Sequence, residues 1–373
     1  MSGRFDIAVV GAGMAGASLA AEIAPHASVA LIEAEAQPGY HATGRSAAFW
    51  TESYGGPGVQ PLTTASHVLL SAPPPEFSET GFLHPRGALH LAAPQAYAAL
   101  DAMAARFAGS AVRLEPLDDA GARALIPGLR KGPWRALLEA STTDIDVAAL
   151  HAAYLRAAKR AGVELICSAP LREAERDGGV WRIEAAGRAI VADMLVDAAG
   201  AWADDVARIA GARPLGIRPY RRTLAQLRVD PPVPDDAPLV IDAAGLYYFK
   251  PEAGGRLWLS PHDEEPAEPC DAAPEELAVA TAIDRLGQVV DWRVERVERA
   301  WAGLRSFTPD RLPAYGFAPD APGFFWFAGQ GGFGIQTAPA AAKLGAALLL
   351  GRAMDESVAH INPDTYEPGR LFA

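Results

Sequence analysis

The sequence predicts an α/β domain assembled from segments far apart in the chain, with a second domain built from the pieces between them. Three observations predict it. An apolar run, Phe5–Val10, leads directly into Gly11-Ala12-Gly13-Met14-Ala15-Gly16. A second strand-like run, Ile190–Ala198, ends in Asp197-Ala198-Ala199-Gly200. A third, Phe324–Ala328, opens into a glycine-dense stretch and then a helix. With 373 residues, half of them hydrophobic, the chain can bury two ordinary cores.

The first forty residues read as a βαβ unit. Phe5–Val10 is rich in β-branched residues and suits a buried parallel strand. Small helix formers follow the glycines as far as Pro25, and Ser28–Ile32 is the second strand, closed by Glu33. In this GxGxxG arrangement Gly11 permits the tight turn, Gly13 admits a pyrophosphate close to the backbone, and Gly16 lets helix and strand pack. The helix N-terminus offers its free N–H groups to phosphate, and Glu33 is placed to accept from a ribose hydroxyl. A dinucleotide is the expected ligand.

The chain after Glu33 favours FAD over NAD. A further βα unit would complete an NAD sheet, but residues 37–48 (Gln37-Pro38-Gly39-Tyr40-His41-Ala42-Thr43-Gly44-Arg45-Ser46-Ala47-Ala48) are small and polar, which reads as a long loop. At the other end, Gly329-Gln330-Gly331-Gly332-Phe333-Gly334-Ile335-Gln336-Thr337 precedes a helix expected to begin near Pro339 and to end near Gly351. So many backbone N–H groups before a helix suit an anionic group such as reduced flavin. Between these ends, Val163–Leu171 and Val180–Glu184 read as a hairpin about Asp177-Gly178-Gly179. The expected FAD-binding domain therefore comprises residues 1–80, 141–205 and 301–373, with 81–140 and 206–300 forming the substrate domain.

Composition narrows the function. A net charge of −12 argues against a nucleic-acid partner. Cys167 and Cys270 form no CxxC pair, which argues against a disulfide framework or a cysteine metal site and suits a cytoplasmic protein. The eight histidines show no metal-binding spacing, so no metal is expected. Ala338–Leu350 is too short to span a bilayer and contains Lys343, so no integral membrane segment is expected. Asp144 and Asp146 read as residues opening the helix from Val147, and His262-Asp263-Glu264-Glu265 as a solvated loop.

Taken together, GAGMAGAS, QPGYHATGRSAA, DAAGAWAD, YFKPEAG, AWAGLRSFTPDRLP and GQGGFGIQTAP resemble the FAD-dependent D-amino-acid dehydrogenases and oxidases of the glycine oxidase and D-amino-acid oxidase superfamily. Within it the segments are most similar to the bacterial D-arginine dehydrogenases, and the likeness covers nearly the whole chain. The resemblance implies a Rossmann-like FAD domain and a substrate domain with a mixed, largely antiparallel sheet over the flavin. It implies noncovalent FAD against Gly11, Gly13, Met14, Ala15 and Gly16, against Glu33 and Ala34, and along Arg45, Ser46, Ala47 and Ala48. Leu171, Gly200 and Gly303 belong to the same implied set, as do Gly332, Gly334, Ile335, Gln336 and Thr337.

For the substrate, a small amino acid or amine, the resemblance implies Arg222 and Arg305 on the carboxylate, with Tyr248 and the loop residue Tyr54 completing the clamp. Guanidinium forks suit such a carboxylate. Gly55, Gly56 and Gly58 would give the Tyr54 loop hinges. Two positions depart from the D-arginine enzymes: Phe49 stands where they have histidine, and Ala88 where they have the acid that receives the guanidinium. Phe49 and Ala88 therefore predict a pocket for neutral or apolar side chains. The implied reaction is hydride transfer from Cα to the flavin, giving an imino acid that hydrolyses to a 2-oxo acid and ammonia. Trp258 aligns with the lysine that related oxidases hold over the ring, which favours a quinone or other carrier over oxygen as electron acceptor. The alternatives are an oxygen-using oxidase of glycine or a secondary amine, and a flavin-binding protein without amine turnover.

Overall fold

The structure, a computed structural model, describes residues 3–372. Its first sheet has eight strands. Gly3–Val10 lies between Val29–Ile32 and Arg188–Asp197, parallel to both, and Glu164–Ile166 extends the parallel set beyond Val29–Ile32. Phe324–Ala328 runs parallel to the last residues of Arg188–Asp197, whose first half pairs instead with the hairpin Leu171–Asp177 and Val180–Ala185. The apolar runs predicted as parallel strands are buried on both faces, as their lack of alternation requires. Their C-terminal ends converge on one crevice, the usual place for a ligand in such sheets.

Three sequence expectations need correction. Val163–Leu171 is not one arm of the hairpin. Glu164–Ile166 joins the parallel set, and the hairpin begins at Leu171. Between them Ser168 takes a positive φ of 52°, and the Ser168 and Ala169 N–H groups donate to Glu35 and Glu33 carbonyls, which breaks the strand. The last helix runs Gly334–Leu350, so Pro339 lies inside it. The neighbouring Ala340 N–H donates to Ser66 Oγ at 3.1 Å. Almost the whole helix is buried, and that packing outweighs the proline's local preference for the first turn. Asp146 does cap the helix Val147–Arg160 through the Ala149 N–H, but Asp144 does not. It sits in the strand Thr143–Ile145 and pairs with Arg86 at 2.8 Å and Lys250 at 3.2 Å.

The second sheet has ten strands, and every pair is antiparallel except Ala88–Ala92 with Leu239–Asp242. Its backbone is the long pair Arg218–Asp230 and Arg293–Phe307, the latter running through the expected boundary at 300/301. One face carries Leu89, Val240, Phe249, Leu257, Leu259 and Ala225 and is covered by the helix Glu276–Val289. The alternate residues point the other way, towards the first domain. By register these are His90, Ile241 and Tyr248 in one row, then, beyond the strand Arg256–Ser260, Arg222, Leu224, Trp301 and Arg305 on the long pair. A three-stranded sheet of Phe49–Trp50, Thr143–Ile145 and Leu83–Pro85 lies beside them. Among the described residues no helix is long and apolar enough to cross a membrane.

Candidate active site

A cavity of about 1040 Å³ lies between the strand ends of the first sheet and the inward face of the second. At the strand ends of the first sheet two glycines stand where a Cβ would run into backbone. Gly11 has φ +98°, and a Cβ there would meet the Ala198 carbonyl oxygen at 2.5 Å. A Cβ on Gly16 would lie 1.8 Å from the Gly11 oxygen, so Gly16 packs behind the cavity wall as helix contact. Gly13 caps the helix Met14–Ile23 without a side-chain hydrogen bond of its own, and the Met14 N–H of that terminus is taken by Thr43.

Glu33 is buried, and its two oxygens accept from the Ala12 and Glu35 N–H groups at 2.8 and 2.9 Å. Each oxygen keeps acceptor capacity for a hydroxyl. Thr43, which the sequence reading passed over inside its loop of small residues, accepts from the Met14 N–H at 2.9 Å and lines the cavity. Arg45 lines it too, but its guanidinium is committed to the Ala272 and Ala302 carbonyls and to Asp271. It fastens the loop to the second sheet and to residues 271–272, and a Cβ on Gly303 would meet the Arg45 Cβ at 3.4 Å.

Ala15, Ala34, Ser46, Ala47, Ala48, Leu171 and Gly200 all line the same cavity, as do Gly332, Gly334, Ile335 and Gln336. Thr337 does not. It is buried in the helix, and its hydroxyl donates to the Phe333 carbonyl at 2.9 Å. A glycine cradle, an anchored carboxylate and a continuous cavity running on to the Gly332–Gln336 turn fit FAD lying along the strand ends.

The substrate end is made of side chains. Arg305 stands opposite Tyr220, and Arg222 opposite Gly303, so the two guanidiniums are diagonal neighbours on one face. Arg222 is 3% exposed. Its Nε donates to the Asp263 carbonyl at 2.7 Å and its Nη2 to Glu264 at 3.1 Å, but its Nη1 is buried without a partner. Burial and the neighbouring Arg305 pull its pKa down to about 10, so it remains a cation at neutral pH. Burial opposes the charge on Arg305 as well, but Tyr54, Tyr248, Glu264 and Asp263 more than offset it and raise its pKa. Arg305 Nη1 donates to the Tyr54 hydroxyl at 2.9 Å, and the Tyr248 hydroxyl is buried and unpartnered. All four predicted clamp residues thus meet in one place.

The segment His262–Glu265, expected as a solvated loop, closes this site. Asp263 accepts from the Thr223 N–H and hydroxyl, and Glu264 bridges Arg222 to Arg311. His262 packs edge-on to Tyr248, with ring centroids 5.5 Å apart and its Nδ1 buried and unpartnered. Burial, then Arg222 and Arg305, push its pKa down to about 3, so the ring is neutral. The available signal was positional: these residues follow a strand that pairs with the Arg222 strand, so they return beside it.

The Tyr54 loop is held at several points. Gln336 accepts from the Thr51 N–H and donates to Thr63 Oγ1, while the wholly buried Glu139 accepts from the Glu52 and Ser53 N–H groups. Gly55 and Gly56 have positive φ, but Gly58 does not. Phe49 lines the cavity as expected. Ala88 does not. It lies in a buried apolar cluster with Leu224, Leu239 and Tyr248, directly across the strand from Glu139. Trp258 also lies off the cavity wall, under the Lys250 ammonium at 4.7 Å, and Phe49 covers the same ammonium at 5.5 Å.

The profile of the FAD dependent oxidoreductase family DAO matches residues 6–348. Glycine oxidase of Pseudomonas aeruginosa is 30% identical over 264 residues, 69% of this chain and 68% of that protein. The hydrogen cyanide synthase subunit HcnC of the same organism is 28% identical over 189 residues, 50% of this chain but only 44% of that protein. Among solved structures, glycine oxidase from Geobacillus kaustophilus superposes with a TM-score of 0.83 at 24% identity, covering 97% of this chain and 99% of its own. L-proline dehydrogenase from P. horikoshii superposes at 0.84 with 19% identity, covering 100% and 99%. At these identities the structures establish the shared fold.

Proposed function

The chain belongs to the DAO family of FAD-dependent oxidoreductases, and from that premise we propose that it oxidises the Cα–N bond of a small D-amino acid with a neutral side chain. One observation carries the reading: the buried Arg222 and the half-buried Arg305 stand side by side, and Arg222 Nη1 has no partner. Glu264 takes one Nη2 proton of Arg222, but its Nη1 stays free, and a substrate carboxylate is the anion that fits a pair of forks. Tyr54 and the unpartnered Tyr248 hydroxyl complete the seat.

The work of these residues is orientation. Arg222 and Arg305 hold the carboxylate, which fixes the hydrogen on Cα with respect to the Gly332–Gln336 turn. His262, neutral beside the clamp, adds no charge that would compete with the arginines. FAD supplies the hydride acceptor. The hydrogen leaves Cα with its electron pair, the amine lone pair closes a C=N bond, and water hydrolyses the imino acid to a 2-oxo acid and ammonia. Phe49 on the cavity wall supports a neutral side chain over that of D-arginine. Among the described residues no lysine lines the cavity, which supports a quinone or another carrier as electron acceptor.

The second reading, an oxygen-using oxidase of glycine or a secondary amine, is favoured by the 30% identity to a glycine oxidase. Anaerobic mixing of the yellow holoprotein with D- and L-amino acids, glycine, sarcosine and D-arginine separates the two. Bleaching of the flavin by neutral D-amino acids is expected, with little peroxide released in air. Bleaching only by glycine or sarcosine, with stoichiometric peroxide, would establish the second reading.

A further inference from the structure

The turn between the first strand and the helix Met14–Ile23 is fastened from behind by a residue far along the chain. His151 lies on the helix Val147–Arg160, whose Leu150, Ala153 and Tyr154 share one buried cluster with Met14 and Ala17. That packing brings the ring to the turn, where its Nε2 stands 2.9 Å from the Ala12 carbonyl oxygen. A carbonyl only accepts, so Nε2 carries the proton and donates. Burial draws the imidazole pKa below its ordinary value, so near neutral pH the ring donates without a charge of its own. A Cβ on Gly39 would come within 2.9 Å of the same ring, so the loop after Glu33 lies against it.

The consequence falls on the next peptide group. Of the N–H groups in the turn, that of Gly11 donates to the Ile32 carbonyl, that of Ala12 to Glu33 and that of Met14 to Thr43. The Gly13 N–H has no partner among the described residues. It shares a peptide plane with the Ala12 carbonyl, and in a trans peptide the two point in opposite directions. Gly13 lines the cavity, whereas Ala12 and His151 lie behind its wall. Holding the oxygen towards His151 therefore turns the Gly13 N–H towards the cavity. A donor on the carbonyl also polarises the peptide, which strengthens the N–H as a donor in turn.

FAD fits this end of the cavity, and we propose that His151 is a positioning residue for its pyrophosphate. By holding the Ala12 carbonyl, it aims the unpartnered N–H of the turn at a phosphate oxygen. A leucine would fill the space between helix and turn but would leave the Ala12 carbonyl, in a residue with no exposure, without its donor. The peptide plane would then lose the contact that sets its tilt. The inference concerns the cofactor alone and stands apart from the choice of substrate.

The test compares the holoenzymes of the wild type, His151→Leu and His151→Gln, with no substrate present. FAD release on dilution is followed by the gain in flavin fluorescence, and the bound pyrophosphate by its phosphorus NMR resonances. His151→Leu is expected to release FAD roughly tenfold faster, the worth of one buried hydrogen bond, and to shift one of the two resonances. His151→Gln keeps an N–H donor and should return both readouts part of the way to the wild type. Release from His151→Leu at the wild-type rate overturns the inference. So does equally fast release from both variants with the two resonances unmoved, which would make the ring a packing element and nothing more. If His151→Leu purifies without flavin, retention of FAD by His151→Gln supports the inference, and its loss there as well overturns it.

Discussion

Along the first-domain side of the cavity the inward groups are largely main chain: the turn at Gly11–Gly13, the small residues Ala47 and Ala48, and the Gly332–Gly334 turn. Along the second-domain side they are side chains standing on one face of a sheet, with Arg222, Tyr248, Arg305, Ile241 and His90 each on a different strand or a different turn of the pleat. The first wall is specified locally, because a glycine turn works within a few residues of itself. The second is specified by register, because Arg222 and Arg305 meet only through the pairing of Arg218–Asp230 with Arg293–Phe307. A defect in the first wall should therefore remove the cofactor, and one in the second should spare the cofactor and weaken the substrate.

The sharpest way to break that division is Gly16→Ala. Its Cβ would lie 1.8 Å from the Gly11 oxygen, and that atom is backbone and cannot step aside. Helix and strand must separate, and the phosphate turn with them. The variant is expected to purify without yellow colour and to melt well below the wild type. Retention of stoichiometric FAD would show that the turn is not the anchor.

Arg305→Leu is the counterpart on the other wall. It is expected to keep the flavin spectrum but to lower kcat/KM for flavin reduction by about a thousandfold, from loss of two charge-assisted hydrogen bonds. A colourless Arg305→Leu protein would erase the distinction between the walls. A variant that bound FAD and turned over normally would remove the arginine from the site altogether.

The same contrast explains what the sequence made legible. The βαβ unit, its three glycines and the strands Arg188–Asp197 and Phe324–Ala328 could be read from short runs, because burial and tight turns leave local marks. Arg222, Arg305, Tyr248 and Tyr54 were reached only through a resemblance, since an arginine in an alternating strand carries no sign of its partner. His262 and Glu264 were hidden by their own polarity. A run of His-Asp-Glu-Glu reads as solvated unless one knows that it folds back against the buried Arg222. Ala88 failed in the opposite sense: position in an alignment placed it in the pocket, but its side chain is too short to reach past the cluster that buries it.

His262 also sharpens the comparison through pH, because a neutral imidazole beside two arginines belongs to the side-chain wall alone. In the unfolded chain it binds a proton near pH 6.5, but in the fold only near pH 3. Between those values the unfolded state holds more protons, so stability is full above 6.5 and declines as the pH falls towards 3. The slope is about 1.4 kcal/mol per unit, or about 2 kcal/mol between pH 6.5 and 5. Thermal melts of the holoprotein should show His262→Gln losing less Tm over that interval than the wild type. Parallel losses would mean that the ring is already exposed enough to titrate normally.

The smallest effect is expected at Tyr54, where the two walls touch. Its ring packs on Phe333 of the flavin-side turn, with centroids 5.8 Å apart, while its hydroxyl accepts from Arg305. Tyr54→Phe keeps the ring and removes only the hydroxyl. The loop stays anchored by Gln336 and Glu139, so the seat should lose about 1 kcal/mol and no more. Rapid-reaction kinetics should therefore give a roughly fivefold rise in the substrate Kd with an unchanged limiting rate of flavin reduction. A fall in the limiting rate with Kd unaltered would place the hydroxyl at the reacting Cα–N bond instead of at the carboxylate. The wall of side chains would then take part in the chemistry as well as in positioning.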